Sequence, residues 1–210
     1  MAAAPSTRRG AARHSELFDA LVELLLAEGF SHLTLDDVAA RLRCSKRTLY
    51  ALAGSKEQLV RAAVVHFFER ATDRVEAAVA SRTDPEARLA AYLRAVADEL
   101  APASARFMDD MAAFPPAAEV YARNTEAAAR RVGELLAEGV AAGTFRDVPV
   151  SFTAEVITAT MVAIQQRRMA AATGLGDAEA YEALAALLLH GLTRPGPGAH
   201  PRDEGQVGSA

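Results

Sequence analysis

The chain has 210 residues, about half of them apolar, and a formal net charge of −4. That length accommodates one large domain or two small ones, with enough apolar residues to form a core. A single cysteine excludes a disulfide framework and a thiolate metal cluster within one chain, and it fits a reducing cytoplasm. We expect no membrane-spanning helix and no signal peptide, because no run approaches about 18 apolar residues and the N-terminus lacks an apolar segment.

The charge is distributed unevenly along the chain. Through Arg61 there are nine basic and seven acidic residues, a balance of +2, so the remainder carries −6. A slightly basic N-terminal part on an acidic body predicts that the N-terminal part meets a polyanion. Alanine and leucine dominate the composition, and they favour helix over strand.

The N-terminal part begins with a basic arm and a first helix. Residues 1–12 are predicted to form a flexible arm. Helix 1 is expected from Arg13 to Glu28, where leucines recur on one face and Gly29 follows as a stop signal. A short second helix is expected to begin after Thr34, a suitable N-cap, and to end eight residues later.

The later helices are delimited by serine caps, prolines and glycines. Helix 3 is expected from Ser45 to Ala51, and helix 4 from Ser55, where Ser-Lys-Glu-Gln fits a capping box, to about Ala80. Further helices are predicted at 85–100, 103–113, 116–142, 151–172 and 177–192. Residues 194–210, rich in proline and glycine, are predicted to be a disordered tail. The fold class is therefore all-α.

Helices 2 and 3 are predicted to form a helix-turn-helix, because only Arg43 and Cys44 separate them. The first turn of helix 3 is filled with side chains that can hydrogen-bond. In a recognition helix this N-terminal end enters the major groove and meets base edges. The candidates for base contacts are Ser45, Lys46, Arg47 and Thr48.

Phosphate contacts are expected around the same helix. Tyr50 can pack its ring while its hydroxyl reaches a phosphate. The only two lysines of the chain, Lys46 and Lys56, each follow a helix-starting serine, and lysine is a compact cation suited to phosphate. Lys56 and Thr34 also stand at helix N-termini, where backbone N–H groups favour an anion. The same pattern starts helices of any function, so a bundle of well-capped short helices is the alternative.

The order and spacing of these residues resemble the DNA-binding domain of TetR/AcrR-type transcriptional regulators. The resemblance runs from Arg13 to Val60. Its signals are Ala20, Glu28-Gly29-Phe30, Thr34-Leu35, Asp37-Val38-Ala39, Ser45-Lys46, Thr48-Leu49-Tyr50, Ser55-Lys56-Glu57 and Leu59. It implies a helix-turn-helix DNA-binding domain at 13–60 and a larger helical ligand-binding and dimerisation domain at 61–193. It also implies base-facing roles for Ser45, Lys46, Arg47 and Thr48, and phosphate roles for Thr34, Tyr50 and Lys56.

The chain departs from the family pattern at several positions. The family often has glycine where this chain has Arg43 and Arg47. A left-handed backbone at Arg43 would cost about 1 kcal/mol, while Arg47 could either recognise a guanine through two hydrogen bonds or pair with a phosphate. Aromatic or histidine positions after Tyr50 are alanine and leucine here, which removes phosphate contacts. Cys44 is predicted to be a buried, inert thiol.

A ligand is expected in the body, where polar residues interrupt apolar helix faces. Aromatic and methionine side chains with a few polar groups suit a medium-sized, mostly apolar effector. The alternative is that these stripes only form the core. The candidate ligand-binding residues are Tyr92, Val96, Phe107, Met108, Met111, Tyr121, Asn124, Thr125, Met161 and Gln165.

The last two predicted helices are rich in small and aliphatic residues, and the resemblance implies that they form the homodimer interface. Scattered histidines, the lack of a Glu-x-x-His motif and the lack of a nucleotide-binding loop predict no metal, no cofactor and no enzyme activity. We predict a cytoplasmic regulator, most simply a repressor released from a palindromic double-stranded DNA operator by a small molecule. The alternative is a helical adaptor protein whose helix-turn-helix is purely structural.

Overall fold

A computed structural model describes the backbone of residues 5–193 and the side chains from Ser15 onward. Within this range the chain is helical and forms no strand, and its β-type pairing is an isolated bridge between Phe145 and Thr193. The all-α prediction is confirmed. The helices are α1 (Pro5–Glu28), α2 (Leu35–Arg41), α3 (Lys46–Leu52), α4 (Lys56–Ala80), α5 (Pro85–Leu100), α6 (Ala105–Ala113), α7 (Pro115–Ala141), α8 (Val150–Gln165), α9 (Arg168–Thr173) and α10 (Asp177–Leu192).

The first helix begins eight residues earlier than the sequence predicts. α1 starts at Pro5, so residues 5–12 of the expected flexible arm are helical. Proline is tolerated at the first helical position, and the alanines and arginines that follow are good helix formers. Residues 1–4 and the predicted tail at 194–210 lie outside the described residues.

Side-chain caps begin the short helices where the sequence places them. Thr34 caps α2 in a complete capping box. Ser45 caps α3 and Ser55 caps α4, each accepting a hydrogen bond from the backbone N–H three residues on. The box at Ser55 is only half formed, because the Gln58 side chain accepts from the N–H of Gly54 and not from that of Ser55.

The predicted helix 151–172 is wrong as a single element. α8 ends at Gln165 and α9 begins at Arg168, because Arg167 adopts a left-handed backbone with φ of 56°. An arginine in this conformation is uncommon, since its Cβ crowds the backbone, so no residue type marks the break in the sequence. α9 then ends at Gly174, whose φ of 76° suits glycine.

The helices enclose two hydrophobic cores that share α4. The first core surrounds Leu49 of α3 and continues through Phe67 of α4 to Phe107 of α6. The second core lies in the body and includes Val75 of α4 and Leu136 of α7. Because α4 contributes to both cores, it connects the helix-turn-helix to the body without a flexible linker.

Candidate nucleic-acid interface and body cavity

α3 presents a polar surface to solvent and is fixed from behind by one leucine. Leu49 is 1% exposed and packs in the first core. The Tyr50 side chain is 53% exposed, so both its ring and its hydroxyl are available for contact. Of the four side chains predicted to contact bases, Ser45, Lys46 and Arg47 are exposed and Thr48 is half-buried.

The turn between α2 and α3 is held by a strained arginine and a cysteine. Arg43 has φ of 49°, so its backbone is left-handed, which costs about 1 kcal/mol relative to glycine. The N–H of Cys44 donates to the carbonyl oxygen of Ala39 at 3.0 Å. Cys44 is half-buried against the first core, and burial raises the pKa of its thiol, which disfavours the reactive thiolate.

Three hydroxyls of the predicted DNA-binding residues, those of Thr34, Ser45 and Thr48, form hydrogen bonds within their own helix starts. The Thr34 hydroxyl donates to Asp37 Oδ2 at 2.6 Å and accepts from the Asp37 N–H at 3.2 Å. The Thr34 side chain and backbone hydrogen bonds lower the pKa of the exposed Asp37, which keeps a negative charge at this helix start. The Ser45 and Thr48 hydroxyls share a hydrogen bond of 2.8 Å.

The cations of this surface differ in what they bind. Lys46 Nζ lies 2.6 Å from Asp36 Oδ2, and the hydrogen bond that Lys46 donates to Asp36 raises the pKa of Lys46. Lys56 Nζ donates to the carbonyl oxygen of Ser31 at 3.1 Å. Arg47 makes no hydrogen bond or ion pair with any residue whose side chain the structure describes. Its guanidinium is therefore fully available to a partner.

One buried carboxylate, that of Asp110, joins α6 to the loop between α1 and α2. Asp110 of α6 is 8% exposed, and its Oδ2 accepts the backbone N–H groups of Phe30 at 2.5 Å and Ser31 at 2.8 Å. Gly29 stands beside it with φ of 76°, and a Cβ there would lie 2.6 Å from Asp110 Oδ2. Phe30 also packs edge-on against Phe107 of α6. These contacts fix the loop before α2 to α6, so a displacement of α6 would also displace this loop.

A cavity opens between α4, α5, α7 and α8 in the body. Its empty space is about 760 Å³ with the mouth included, of which about 110 Å³ admits the centre of a water molecule. Phe67, Phe68 and Val75 of α4 form much of its apolar wall. The sequence-predicted ligand residues that line it are Tyr92, Val96, Asn124, Thr125, Met161 and Gln165.

The remaining four ligand candidates do not line this cavity. Phe107, Met108 and Met111 of α6 belong to the first core and pack toward the helix-turn-helix. Tyr121 lies just behind the cavity, where its hydroxyl donates to Gln165 Oε1 at 2.6 Å. Their apolar pattern was correct, but the direction in which α6 faces depends on the fold and not on its own sequence.

The sequence analysis missed the α4 wall and the charged groups of the cavity. Arg131 of α7 donates to Glu76 of α4 through Nε at 2.8 Å and Nη2 at 2.9 Å. Glu99 of α5 also lines the cavity and is paired with Arg74. Pairs between residues 55 positions apart leave no local signal, although the apolar face of α4 continues into this wall.

The helix-turn-helix region matches a known family. Residues 17–63, from the middle of α1 to the second turn of α4, match the bacterial regulatory proteins of the tetR family. Solved structures of regulators from this family share the fold over 85% and 87% of the chain. The chain carries a DNA-binding domain of the TetR family.

Several solved structures of transcriptional regulators match most of this chain in fold. A TetR/AcrR-family transcriptional regulator from Thermobifida fusca YX-ER1 is 27% identical, with a TM-score of 0.61 over 87% of this chain and 100% of that chain. A transcriptional regulator from Saccharomonospora viridis, solved in complex with choline, is 15% identical, with a TM-score of 0.74 over 88% and 100%. The ketosteroid transcriptional regulator KstR2 of Mycobacterium tuberculosis is 20% identical, with a TM-score of 0.59 over 87% and 96%. No curated protein sequence matches the chain.

These comparisons define the class of protein. The TetR-family domain and the structural neighbours belong to transcriptional regulators, so this chain is a DNA-binding transcriptional regulator and not an enzyme. Among the helices between Pro5 and Leu192, none combines the length and the apolar character needed to cross a bilayer.

Proposed function

We propose that this TetR-family protein is a cytoplasmic homodimeric repressor that leaves a palindromic operator when a small, mostly apolar molecule occupies the body cavity. The course of α4 carries this proposal. Its first turn holds Lys56 beside the DNA-facing surface, and later turns supply Phe68, Val75 and Glu76 to the cavity wall. One continuous helix thus joins the place where a ligand binds to the place where DNA binds.

On the DNA side, α3 enters the major groove. Arg47 is the strongest candidate for base recognition, because its guanidinium is exposed and has no competing partner among the described side chains. Ser45, Lys46 and Thr48 add contacts to base edges, while Tyr50 and Lys56 bind the phosphates on either side. Thr34 contributes least to phosphate binding, since its hydroxyl proton is already donated to Asp37.

A second copy of the chain covers the exposed apolar residues of α8 and α10. Phe152 is 69% exposed and Leu187 is 73% exposed, and Val156 on α8 is 46% exposed. Large apolar side chains at these exposures are costly in water and are typical of an interface. Two-fold pairing places two α3 helices on one face of the assembly, which fits an operator with two-fold symmetry.

The coupling that this mechanism needs is modest. A ligand that shifts α4 changes the distance between the two recognition helices, so both half-sites cannot be met at once. If the free energy of operator binding is about 2.7 kcal/mol less favourable with ligand than without it, operator binding weakens about a hundredfold. The choline complex of the Saccharomonospora viridis regulator and the ketosteroid link of KstR2 support a small organic effector as the ligand class.

The proposal is tested by selecting bound DNA from a random duplex library with the purified full-length protein. The variant Lys46→Ala/Arg47→Ala is run beside the wild type. We expect a palindromic motif that the wild type enriches and the variant does not. Enrichment of no motif by a protein that remains dimeric would contradict DNA recognition and favour the adaptor function.

A further inference from the structure

Each charged group that lines the body cavity is already paired with an oppositely charged residue. Glu76 accepts two hydrogen bonds from Arg131, and Arg131 Nη1 also donates to Glu134 at 2.9 Å. Glu99 accepts two hydrogen bonds from Arg74. A charged ligand would have to break one of these pairs or remain uncompensated in a largely apolar space, and both are unfavourable.

The uncharged polar groups of the cavity differ in how far they are already hydrogen-bonded. The Thr125 and Thr158 hydroxyls donate to carbonyl oxygens of their own helices at 3.0 and 2.9 Å, which leaves only their lone pairs free. Gln165 uses its amide oxygen toward Tyr121 and its amide nitrogen toward Tyr181. Tyr92, in contrast, makes no hydrogen bond with any described residue, although only 4% of it is exposed.

The Tyr92 hydroxyl is a hydrogen-bond donor at neutral pH. Burial and the nearby Glu76 raise the pKa of Tyr92 to about 12, with Arg131 opposing them, so the phenol stays protonated. Although most of the Tyr92 side chain is buried, its hydroxyl oxygen is not fully enclosed, since no buried side-chain oxygen of the described residues lacks a partner, and Tyr92 lines the cavity. A ligand that displaces water from the cavity must supply an acceptor or leave this donor unpaired. The groups around it that are already paired do not supply that acceptor.

We propose that the effector is a neutral molecule with an apolar frame and one carbonyl oxygen that accepts a hydrogen bond from the Tyr92 hydroxyl. The frame packs against the rings of Phe67 and Phe68 and against Met161. Neither a carboxylate nor a quaternary ammonium fits this arrangement, which separates the chain from the choline-bound neighbour. The inference rests on the proposed function only in taking this cavity as the effector site.

The test uses three probes that share one carbon chain: decan-2-one, decanoate and decyltrimethylammonium, each kept below micelle formation. Their dissociation constants for the full-length protein are measured by calorimetry at pH 7.5. We expect the ketone to bind at least tenfold more tightly than either charged probe. We expect Tyr92→Phe to weaken ketone binding about fivefold, because it removes one hydrogen bond and no carbon atom.

The control is Thr160→Val, which also removes one hydroxyl, here one that donates to the carbonyl oxygen of Val156 within α8, and which lies outside the cavity wall. It should change ketone binding by less than twofold. Three results would each overturn the ligand class: a charged probe that binds as tightly as the ketone, unchanged ketone binding in Tyr92→Phe, or no ketone binding at all.

Operator affinity is measured in the same samples, which separates this inference from the proposed function. Tyr92-dependent ketone binding without any loss of operator affinity would contradict the repressor mechanism and keep the ligand class. Operator release by a charged probe would support the repressor mechanism and contradict the proposal of a neutral ligand.

Discussion

At the scale of single residues, acidic side chains next to the proposed DNA-binding residues reduce the positive charge that those residues present to DNA. Lys46 Nζ is held 2.6 Å from Asp36 Oδ2, and the Asp36 side chain is 72% exposed. An exposed pair of this kind contributes little to stability, because water and salt screen it. Its effect on DNA binding is larger, since Lys46 must leave Asp36 to reach DNA and Asp36 then repels the phosphates.

We expect Asp36→Asn to tighten operator binding about threefold to tenfold at low salt. The substitution frees Lys46 and removes one negative charge beside the DNA backbone. Fluorescence anisotropy with a labelled operator measures the change, and the gain should shrink as salt is raised. Asp73→Asn is the control, because it makes the same charge change at an exposed position of α4 that lies well beyond the DNA-facing first turn. Equal gains in both variants would show that only net charge matters.

Asp110 is the residue whose charge fastens α6 to the helix-turn-helix. Burial raises the pKa of this carboxyl, but hydrogen bonds from Ser31 and Phe30 and the nearby Arg106 outweigh it and hold the pKa below its usual value. A carboxyl with a lowered pKa stabilises the fold fully above the unfolded pKa of about 3.9 and loses that effect as pH falls through the folded pKa.

We therefore expect Asp110→Asn to lower the free energy of unfolding by about 1–3 kcal/mol at pH 7, with the loss shrinking below about pH 4. Urea unfolding of the variant and the wild type between pH 3 and pH 8 measures it. The neighbouring exposed Asp109→Asn should change stability by less than about 0.5 kcal/mol. A loss that does not depend on pH would mean that shape, and not charge, is what Asp110 contributes.

At the scale of helices, the sequence predicts what is decided locally. The starts of α2, α3 and α4 follow from Thr34, Ser45 and Ser55, because a cap is a contact between residues three positions apart. The break at Arg167 has no such signal, since arginine is uncommon in the left-handed conformation that this residue adopts between α8 and α9. The early start of α1 is compatible with Pro5 at the first helical position and with the arginines and alanines that follow, although Gly10 lowers the helix propensity of this segment.

Two glycines of α7 distinguish close packing from open space on the same helix. A Cβ at Gly139 would lie 2.1 Å from Cδ2 of Phe145, which is fully buried, whereas a Cβ at Gly133 would meet only the Ala154 Cβ at 3.8 Å. Gly139 is therefore required for the approach of the loop after α7, and Gly133 is not.

We expect Gly139→Ala to lower the free energy of unfolding by about 1–3 kcal/mol, because the Phe145 ring must move out of its site. Gly133→Ala should instead raise it by up to about 1 kcal/mol, since alanine is the better helix former and its Cβ would make only an ordinary van der Waals contact with Ala154. The midpoints of urea unfolding give both values. A similar loss in the two variants would contradict the packing argument and indicate that α7 tolerates no change at either glycine.

At the scale of the whole molecule, the cavity depends on which helices pack against one another, and local sequence patterns do not predict that. The sequence predicts the apolar faces of α5, α6, α7 and α8, but it does not predict which helix each face packs against. Phe107 and Met111 face the first core, whereas Met161, with a similar pattern, faces the cavity. The Glu76–Arg131 pair arises only after α4 and α7 have packed, so it was beyond reach of local patterns.

The dimer is the assembly on which the proposed mechanism depends, and its surface can be tested directly. Phe152→Glu/Leu187→Glu places two carboxylates on the exposed apolar residues of α8 and α10. In a dimer these charges would be buried and unpaired, so we expect a monomer at micromolar concentration in sedimentation equilibrium. Because a monomer reads one half-site, operator affinity should fall on the order of a hundredfold.

The control for the dimer variant is Ala77→Glu, which adds a carboxylate at an exposed position of α4. It should remain dimeric and should bind the operator as the wild type does. A double variant that stays dimeric would place the interface elsewhere on the molecule. A monomeric variant that keeps full operator affinity would mean that one helix-turn-helix suffices, and then the change in head separation could not be how a ligand releases the DNA.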